Sequence, residues 1–196
     1  MHFRRFACLI LGVWLGGILL MAVVATQSFS TVNRLLLEPA PGASAELKTM
    51  GHETARMLLR WEAGEQNRRM FEIWETAQIA MAMAVLFVLL FGSTEGKFAL
   101  TLSLLLLVLV IVQRFLLTPM MVSLGRLIDF VPPNVRSPER IKFNVLHMGY
   151  AGLETFKCVV CLLLAGKLIV RTRRKSGQAA GDVDVIDKAY DRHINR

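Results

Sequence analysis

Four long apolar blocks constrain the fold of this chain more than any other feature of its sequence. They cover residues 6–29, 73–91, 98–117 and 145–170. Each is close to the roughly 20 residues that an α-helix needs to cross the hydrocarbon of a bilayer. A soluble domain would instead scatter its apolar residues at a period of 2 or 3.6. The sequence therefore predicts an all-α membrane domain over residues 1–171, a four-helix transmembrane bundle running up-down-up-down.

The net charge of +8 does not indicate a nucleic-acid partner. The basic residues lie mainly at the ends of the apolar blocks, as RTRRK does at residues 171–175. Membrane topology places Lys and Arg at these positions. The expected partner is the lipid bilayer, and the sequence leaves open a second copy of the chain or another membrane protein.

The flanking charges also predict an orientation. The first block could be a signal peptide cleaved after Ala25, but its apolar run exceeds the usual signal-peptide core of about 7–15 residues, which favours a retained helix. Short basic flanks close to a helix end decide topology, and they lie at Arg4, Arg5 and residues 171–175. We therefore expect both termini in the cytoplasm, residues 172–196 as a mobile charged tail, and a location in the cell membrane, of the bacterial inner-membrane type.

The two long connections differ in their predicted structure. EPAPGAS at residues 38–44 should break the chain, and the apolar residues beyond it recur at helical spacing, namely Leu47, Met50, Thr54, Leu58 and Trp61. This pattern predicts an amphipathic outer helix in the first loop, and i,i+4 pairs from Glu65 to Arg69 and from Arg68 to Glu72 could carry this helix into the second span. Residues 118–142 contain four prolines and cannot form one continuous helix.

The first block also contains a glycine pattern. Gly12 and Gly16 form a GxxxG motif, which Gly17 extends. Small residues at this spacing let a neighbouring helix backbone approach closely. We expect this face to pack within the bundle rather than to form a dimer interface.

Ionisable residues inside the last block raise the question of function. His147 and Glu154 are seven residues apart and so lie about 20° from each other around a helix. Lys157 follows Glu154 by three residues, a spacing that suits an ion pair. Because unpaired charges facing lipid are costly, this stripe should face the interior of the protein.

The other blocks supply polar residues at the same depth. Glu72, Glu75 and Gln78 open the second block, while Gln113 and Arg114 close the third. In any up-down arrangement these residues meet the stripe on the last helix. The predicted site therefore comprises Glu75, Gln78, Arg114, His147, Glu154 and Lys157.

Two interpretations of this outer polar cluster remain open. In the first, it binds or passes a small solute, ion or proton, with Glu75 and Glu154 as acceptors, His147 as the titrating group and Arg114 as the positive anchor. Intramembrane ionisable groups often have such a role. In the second, the protein is a structural or accessory subunit whose polar cluster only fixes helix packing.

No enzyme, cofactor or metal signature accompanies the cluster. His147 is the one histidine inside a predicted span, which argues against a haem held by two histidines of this chain. Cys158 and Cys161 have the spacing of a redox motif, but they lie deep in apolar sequence. His52 and Glu53 begin like a zinc-protease helix, yet position 56 is arginine rather than histidine. An enzyme is therefore only the third interpretation, after solute binding and a structural role.

Three short motifs in order resemble one known family. They are WLGG at residues 14–17, LLTPMM at residues 116–121 and FNVLH at residues 143–147. Together they resemble the transmembrane protein 205-like domain of unknown function, over roughly residues 6–170. The resemblance implies a four-helix membrane domain without an established activity. In that family the last helix opens with a phenylalanine followed by Leu-His, which matches Phe143, Leu146 and His147.

Overall fold

The described part of the chain is almost entirely helical. The computed structural model describes residues 2–39, 41–92, 96–132 and 135–194; the side chains of His2, Pro41, Lys48 and residues 171–194 lie outside this description. The helices are α1 (His2–Leu37), α2 (Pro41–Met50), α3 (His52–Phe91), α4 (Lys97–Val112), a π-helical turn (Gln113–Leu117), α5 (Thr118–Ile128) and α6 (Pro138–Ile194). These residues include no strand, which confirms the all-α prediction.

Three helical segments have the length and apolar character needed to cross a membrane. Among the described residues they are Phe3–Leu37, His52–Phe91 and Lys97–Ile128. They match the first three predicted blocks, as expected for an integral membrane protein. The fourth block, residues 145–170, lies inside α6 and is not one of the three, so its crossing stays a prediction. The predicted mobile tail falls on residues whose side chains lie outside the description.

The first connection differs from its prediction. Instead of one amphipathic helix after the breaker, α2 ends at Met50 and α3 begins at His52, because Gly51 adopts a φ of 82° that favours glycine. From there α3 runs for 40 residues without a break. The expected continuation of the outer helix into the second span is therefore confirmed, whereas Leu47 and Met50 belong to the separate helix α2.

The third span also continues past its predicted end at Leu117. The backbone N–H of Thr118 donates to the carbonyl of Gln113, five residues earlier, which defines the π turn. In a regular helix the Pro119 ring would crowd the carbonyl four residues earlier, and a wider turn relieves this contact. The helix then reaches Ile128. The prediction that residues 118–142 are not one continuous helix is confirmed, since α6 begins only at Pro138.

Contacts between α1 and α3 show that these two helices are antiparallel. Phe3 lies beside Gly92 at the end of α3, and a methyl group on Gly17 would overlap the Trp74 indole. Further along, the Ser28 hydroxyl donates to Asn67 Oδ1 at 3.0 Å. α3 packs against α4 as well as α1.

The long helix α6 packs against α1, α4 and α5. It is antiparallel to α4, since Lys167 lies 4.3 Å from the Phe98 ring centroid while Gln113 contacts Glu154. It is parallel to α3, because Glu75 bonds Tyr150, while Gln78, further along α3, bonds Lys157, further along α6. An apolar core joins the four helices through side chains such as Leu11, Val85, Leu106 and Leu164.

The GxxxG face does not pack as predicted. Gly12 and Gly16 are exposed, and a methyl group on either would meet no atom of the described chain within 4 Å. Of the three glycines, only Gly17 is in close contact with a neighbouring helix, through the Trp74 indole of α3. The reason is rotational: the face of α1 that contains Leu11, Trp14 and Ile18 turns inward, which leaves Gly12 and Gly16 on the outside.

Candidate functional site: a buried polar network beneath a cavity

A buried polar layer, made of two adjacent hydrogen-bonded groups, joins α3, the π turn, α5 and α6 near the middle of the protein. Its members are Glu75, Gln78, Gln113, Thr118, Tyr150, Glu154 and Lys157, and these seven residues are called the buried network. Glu75, Gln78, Gln113 and Lys157 have no exposed surface, and Glu154 keeps 15% of its side-chain surface exposed. The buried network is therefore largely closed to its surroundings.

Glu75 is the centre of one half of the buried network. Thr118 and Tyr150 both donate hydroxyl hydrogen bonds to its Oε1 atom, the latter at 3.0 Å. Its other oxygen, Oε2, is buried and has no hydrogen-bond partner in the described part of the chain. Each of the two donors comes from a different helix, so Glu75 ties α3 to both α5 and α6.

Glu154 and Lys157 form the other half. The Lys157 ammonium donates to Glu154 Oε1 at 2.8 Å and also to Gln78 Oε1. Gln113 Nε2 donates to the same Glu154 oxygen at 2.9 Å, while the contacts from Gln78 Nε2 are longer, at 3.4 Å. The predicted ion pair between Glu154 and Lys157 is therefore confirmed. Its charges are balanced inside the protein, which is what a low-dielectric environment demands.

The π turn explains why two side chains of one helix reach this network. Gln113 and Thr118 are five residues apart, so in a regular α-helix they would point in different directions. A π turn bonds residue i to residue i+5 and brings these positions into line. Both side chains are consequently buried against α3 and α6. The Gln113 Oε1 atom has no hydrogen-bond partner in the described chain.

The remaining predicted site residues lie outside the network. His147 is exposed and stacks on Phe143, with ring centroids 5.9 Å apart. It shares a face with Glu154 but lies about 10 Å further along the helix axis. Arg114 is half-buried and makes no ion pair among the described residues, although its charge attracts Glu75. The adjacent Gln113 takes the inward position instead.

A cavity of about 470 Å³ lies directly above the network, between α1, α3, α5 and α6. Thr118 and Tyr150, the two donors to Glu75, form its floor together with Phe71, whose ring meets the Tyr150 ring edge-on at 5.5 Å. Its wall is mainly apolar and includes Phe29, Met57, Met121, Val122, Ile128 and Phe143. This volume is in the range of pockets that hold small organic ligands.

Arginines line the cavity towards its outer end. Arg140 donates to the Val131 carbonyl at 2.8 Å. Phe130, which precedes Val131, stacks on Trp61, which follows Arg60. Arg60 and Arg140 therefore lie at the same level of the cavity. Arg60 lies 5.6 Å from the Phe29 ring centroid. Neither arginine has an ion-pair partner in the part of the chain that the structure describes.

A third arginine of the cavity is fully paired. Arg68 makes a two-pronged contact with Asp129, at 2.8 and 3.2 Å, and bonds Glu65 Oε2 at 2.9 Å. Glu65 also accepts a hydrogen bond from Arg126 at 3.0 Å, so its two carboxylate oxygens bind two different arginines. These contacts replace the predicted i,i+4 pairs, because Asp129 at the end of α5 competes for Arg68.

Sequence reasoning missed several of these residues. The prolines after position 118 place Thr118 in a predicted connection, and only the unexpected continuation of the helix through the π turn buries it. Arg60, Arg68 and Arg140 appear in the sequence as ordinary interfacial charges. The isolated Asp129 between Ile128 and Phe130 is a usable signal, since an acid in an apolar run calls for a cationic partner.

No protein-family model, curated protein or solved structure matches this chain. Within the described residues no group of three or more His, Cys, Asp or Glu side chains could hold a metal ion. Cys8, Cys158 and Cys161 are all free. The site itself consists of a closed polar network under an open cavity that arginines line.

Proposed function

We propose that this chain is a four-helix integral membrane protein that binds a small solute in the cavity above its buried network. Residues 145–170 form the fourth span, the spans run up-down-up-down, and both termini lie in the cytoplasm. The cavity then opens towards the outside of the cell membrane. The antiparallel contacts of α6 with α4 and of α1 with α3 support this arrangement.

The cavity itself is the observation that carries this proposal. It combines an apolar wall with convergent polar groups at both ends, a composition typical of small-molecule sites. Its floor consists of Thr118 and Tyr150, whose hydroxyls are held in place by Glu75. The buried network accordingly acts as a rigid base that positions the floor, and the solute contacts this base only through the two hydroxyl-bearing residues.

Cysteine labelling tests whether the cavity is open to the outside. In a chain whose native cysteines are replaced by alanine, we introduce Met121→Cys or Asn144→Cys in the cavity and Leu104→Cys on the exposed apolar face of α4. A membrane-impermeant thiol reagent added outside should modify the two cavity cysteines and spare the control. Protection of both cavity positions would refute the open cavity. Labelling only from the inner side would reverse the proposed orientation.

A structural role is the second candidate. It is favoured by the hydrogen bonding inside the network, which links three helices, and by the exposed Gly12 and Gly16, which suit contact with a second copy or another membrane protein. Glu154→Gln separates the candidates. Both candidates expect a less stable variant, because Lys157 loses its ion-pair partner. If the network serves assembly alone, the protein that still folds should keep unchanged ligand protection of Met121→Cys; if the network supports binding, that protection should change.

The family resemblance fits the same proposal without extending it. The three motifs of the transmembrane protein 205-like domain fall in α1, at the junction of the π turn with α5, and in α6. The last two border the cavity through Met121, Phe143 and His147. Membership in that family, like the bacterial inner-membrane location, is part of the proposal.

A further inference from the structure

The charges around the cavity are unbalanced in favour of cations. Its lining includes three arginines, Arg60, Arg68 and Arg140, but one acid, Asp129. Asp129 is occupied by Arg68 through the two-pronged contact described above. Two guanidinium groups therefore remain without a carboxylate among the described residues, and both are half-buried.

Arg140 is held in a way that leaves its buried Nε–H donor without a partner among the described residues. Its Nη2 atom donates to the carbonyls of Val131 and Pro132, at 2.8 and 3.2 Å, and these contacts fix the side chain at the cavity. Its Nε atom is buried and has no partner in the described chain. A buried donor of a charged group without an acceptor is costly, and a bound anion would remove that cost.

The apolar wall restricts the kind of anion. Between the outer end with Arg60 and Arg140 and the floor at Tyr150, the cavity is lined by Met57, Met121, Val122 and Phe143. A small inorganic anion would satisfy the arginines but leave this wall in contact with water. An apolar body attached to the anion would cover it.

Resting on the proposed function, we infer that the cavity takes a single-chain amphiphile with one anionic head group, a carboxylate or a phosphate. The head group lies between Arg60 and Arg140 at the outer end. The apolar chain extends along the wall towards Phe71 and Tyr150. From Arg60 to Phe71, α3 rises about 16 Å, which accommodates an extended chain of moderate length.

The test measures protection of Met121→Cys from the thiol reagent, using the full chain in nanodiscs of zwitterionic phosphatidylcholine. The probes are dodecanoate, dodecyl phosphate, dodecanol and acetate. We expect both anionic amphiphiles to give half-protection at concentrations at least about tenfold lower than dodecanol. Acetate should not protect in the same range. The two head groups are compared directly, so the experiment also shows whether the site prefers carboxylate or phosphate.

Charge variants connect this preference to the two arginines. Arg60→Gln with Arg140→Gln should remove the advantage of dodecanoate over dodecanol, whereas Arg69→Gln, an exposed arginine of α3 outside the cavity, should keep it. Because Arg140 also bonds two carbonyls, Arg60→Gln alone provides a variant that leaves those contacts intact. It should weaken protection by dodecanoate about tenfold, as expected for loss of one charge-assisted contact.

The possible failures are distinguishable. Equal protection by dodecanol and dodecanoate would overturn the anionic head group while leaving an open cavity. Protection by acetate alone would overturn the amphiphile. If Met121→Cys is never modified, even without a probe, the proposed function fails and this inference fails with it.

Discussion

The buried network and the cavity share two residues, Thr118 and Tyr150, yet they treat charge in opposite ways. In the network the one cation, Lys157, touches both a carboxylate and an amide oxygen. In the cavity, Arg60 and Arg140 have no acid partner within the described residues. The two regions lie at different depths, and depth determines how a charged group is stabilised. Lys157, deep in the apolar core, is paired with Glu154, whereas Arg60 and Arg140 near the surface have no acid partner among the described residues.

The two regions also differ in packing. At the level of the network, Gly17 admits the Trp74 ring so closely that no methyl group would fit. Beside the cavity, a methyl group on Gly64 would make ordinary contacts, the nearest at 3.5 Å to Arg68 Nη1. The position at Gly17 is therefore close-packed, while the position at Gly64 leaves room for a methyl group.

Removing the buried cation should have the largest effect. Lys157→Met leaves Glu154 without its ion-pair partner, so we expect the free energy of unfolding to fall by about 3 kcal/mol or more. Thermal unfolding of the purified protein in detergent measures this loss. The control is Lys167→Met, which removes only a cation–π contact with Phe98 and should cost about 1 kcal/mol. Equal losses in the two variants would remove the special role assigned to Lys157.

An alanine at each of two glycines compares packing in the two regions. Gly17→Ala forces α1 and α3 apart at Trp74 and should cost about 1–3 kcal/mol. Gly64→Ala should be neutral or stabilising by up to about 1 kcal/mol, because alanine favours the helix. The same unfolding assay applies to both. A destabilised Gly64→Ala with an unaffected Gly17→Ala would invert the comparison.

The smallest expected effects concern the ion pairs beside the cavity. Asp129→Asn weakens the two-pronged contact with Arg68, whose side chain is 14% exposed, and should cost about 1 kcal/mol. Arg126→Gln breaks a contact at a side chain that is 62% exposed, so its effect should stay within about 0.5 kcal/mol. Unfolding at low and high salt distinguishes them, since added salt should reduce only the Arg126 contribution appreciably. A larger cost for Arg126→Gln than for Asp129→Asn would contradict this ranking.

Much of the fold follows from composition and periodicity. Long apolar blocks predict helices of membrane-spanning length, and three of the four correspond to such helices. The pairing of Glu154 with Lys157 can be predicted because it depends only on local helical spacing. Likewise Glu75 and Gln78 are expected inside, since charged and amide groups in an apolar block need a protein partner.

The rest depends on features that periodicity does not encode. The π turn changes the helical phase after Val112, and this decides that Gln113 and Thr118 face inward while Arg114 does not. The exposure of His147 depends on how far α6 extends beyond the network. The cavity requires α1, α3, α5 and α6 together, and no single stretch of sequence contains its shape.

The buried network stabilises the fold, whereas the proposed ligand would be held by Arg60 and Arg140. This division is tested by measuring the free energy of unfolding of two variants side by side, without added amphiphile. The first is Lys157→Met, and the second combines Arg60→Gln with Arg140→Gln. We expect a loss of about 3 kcal/mol or more for the first variant. For the second we expect a smaller loss of about 1–2 kcal/mol, from the Arg60 contact with the Phe29 ring and the Arg140 bonds to two carbonyls, since no ion pair is broken. A cavity variant as unstable as Lys157→Met would contradict the division between the two regions.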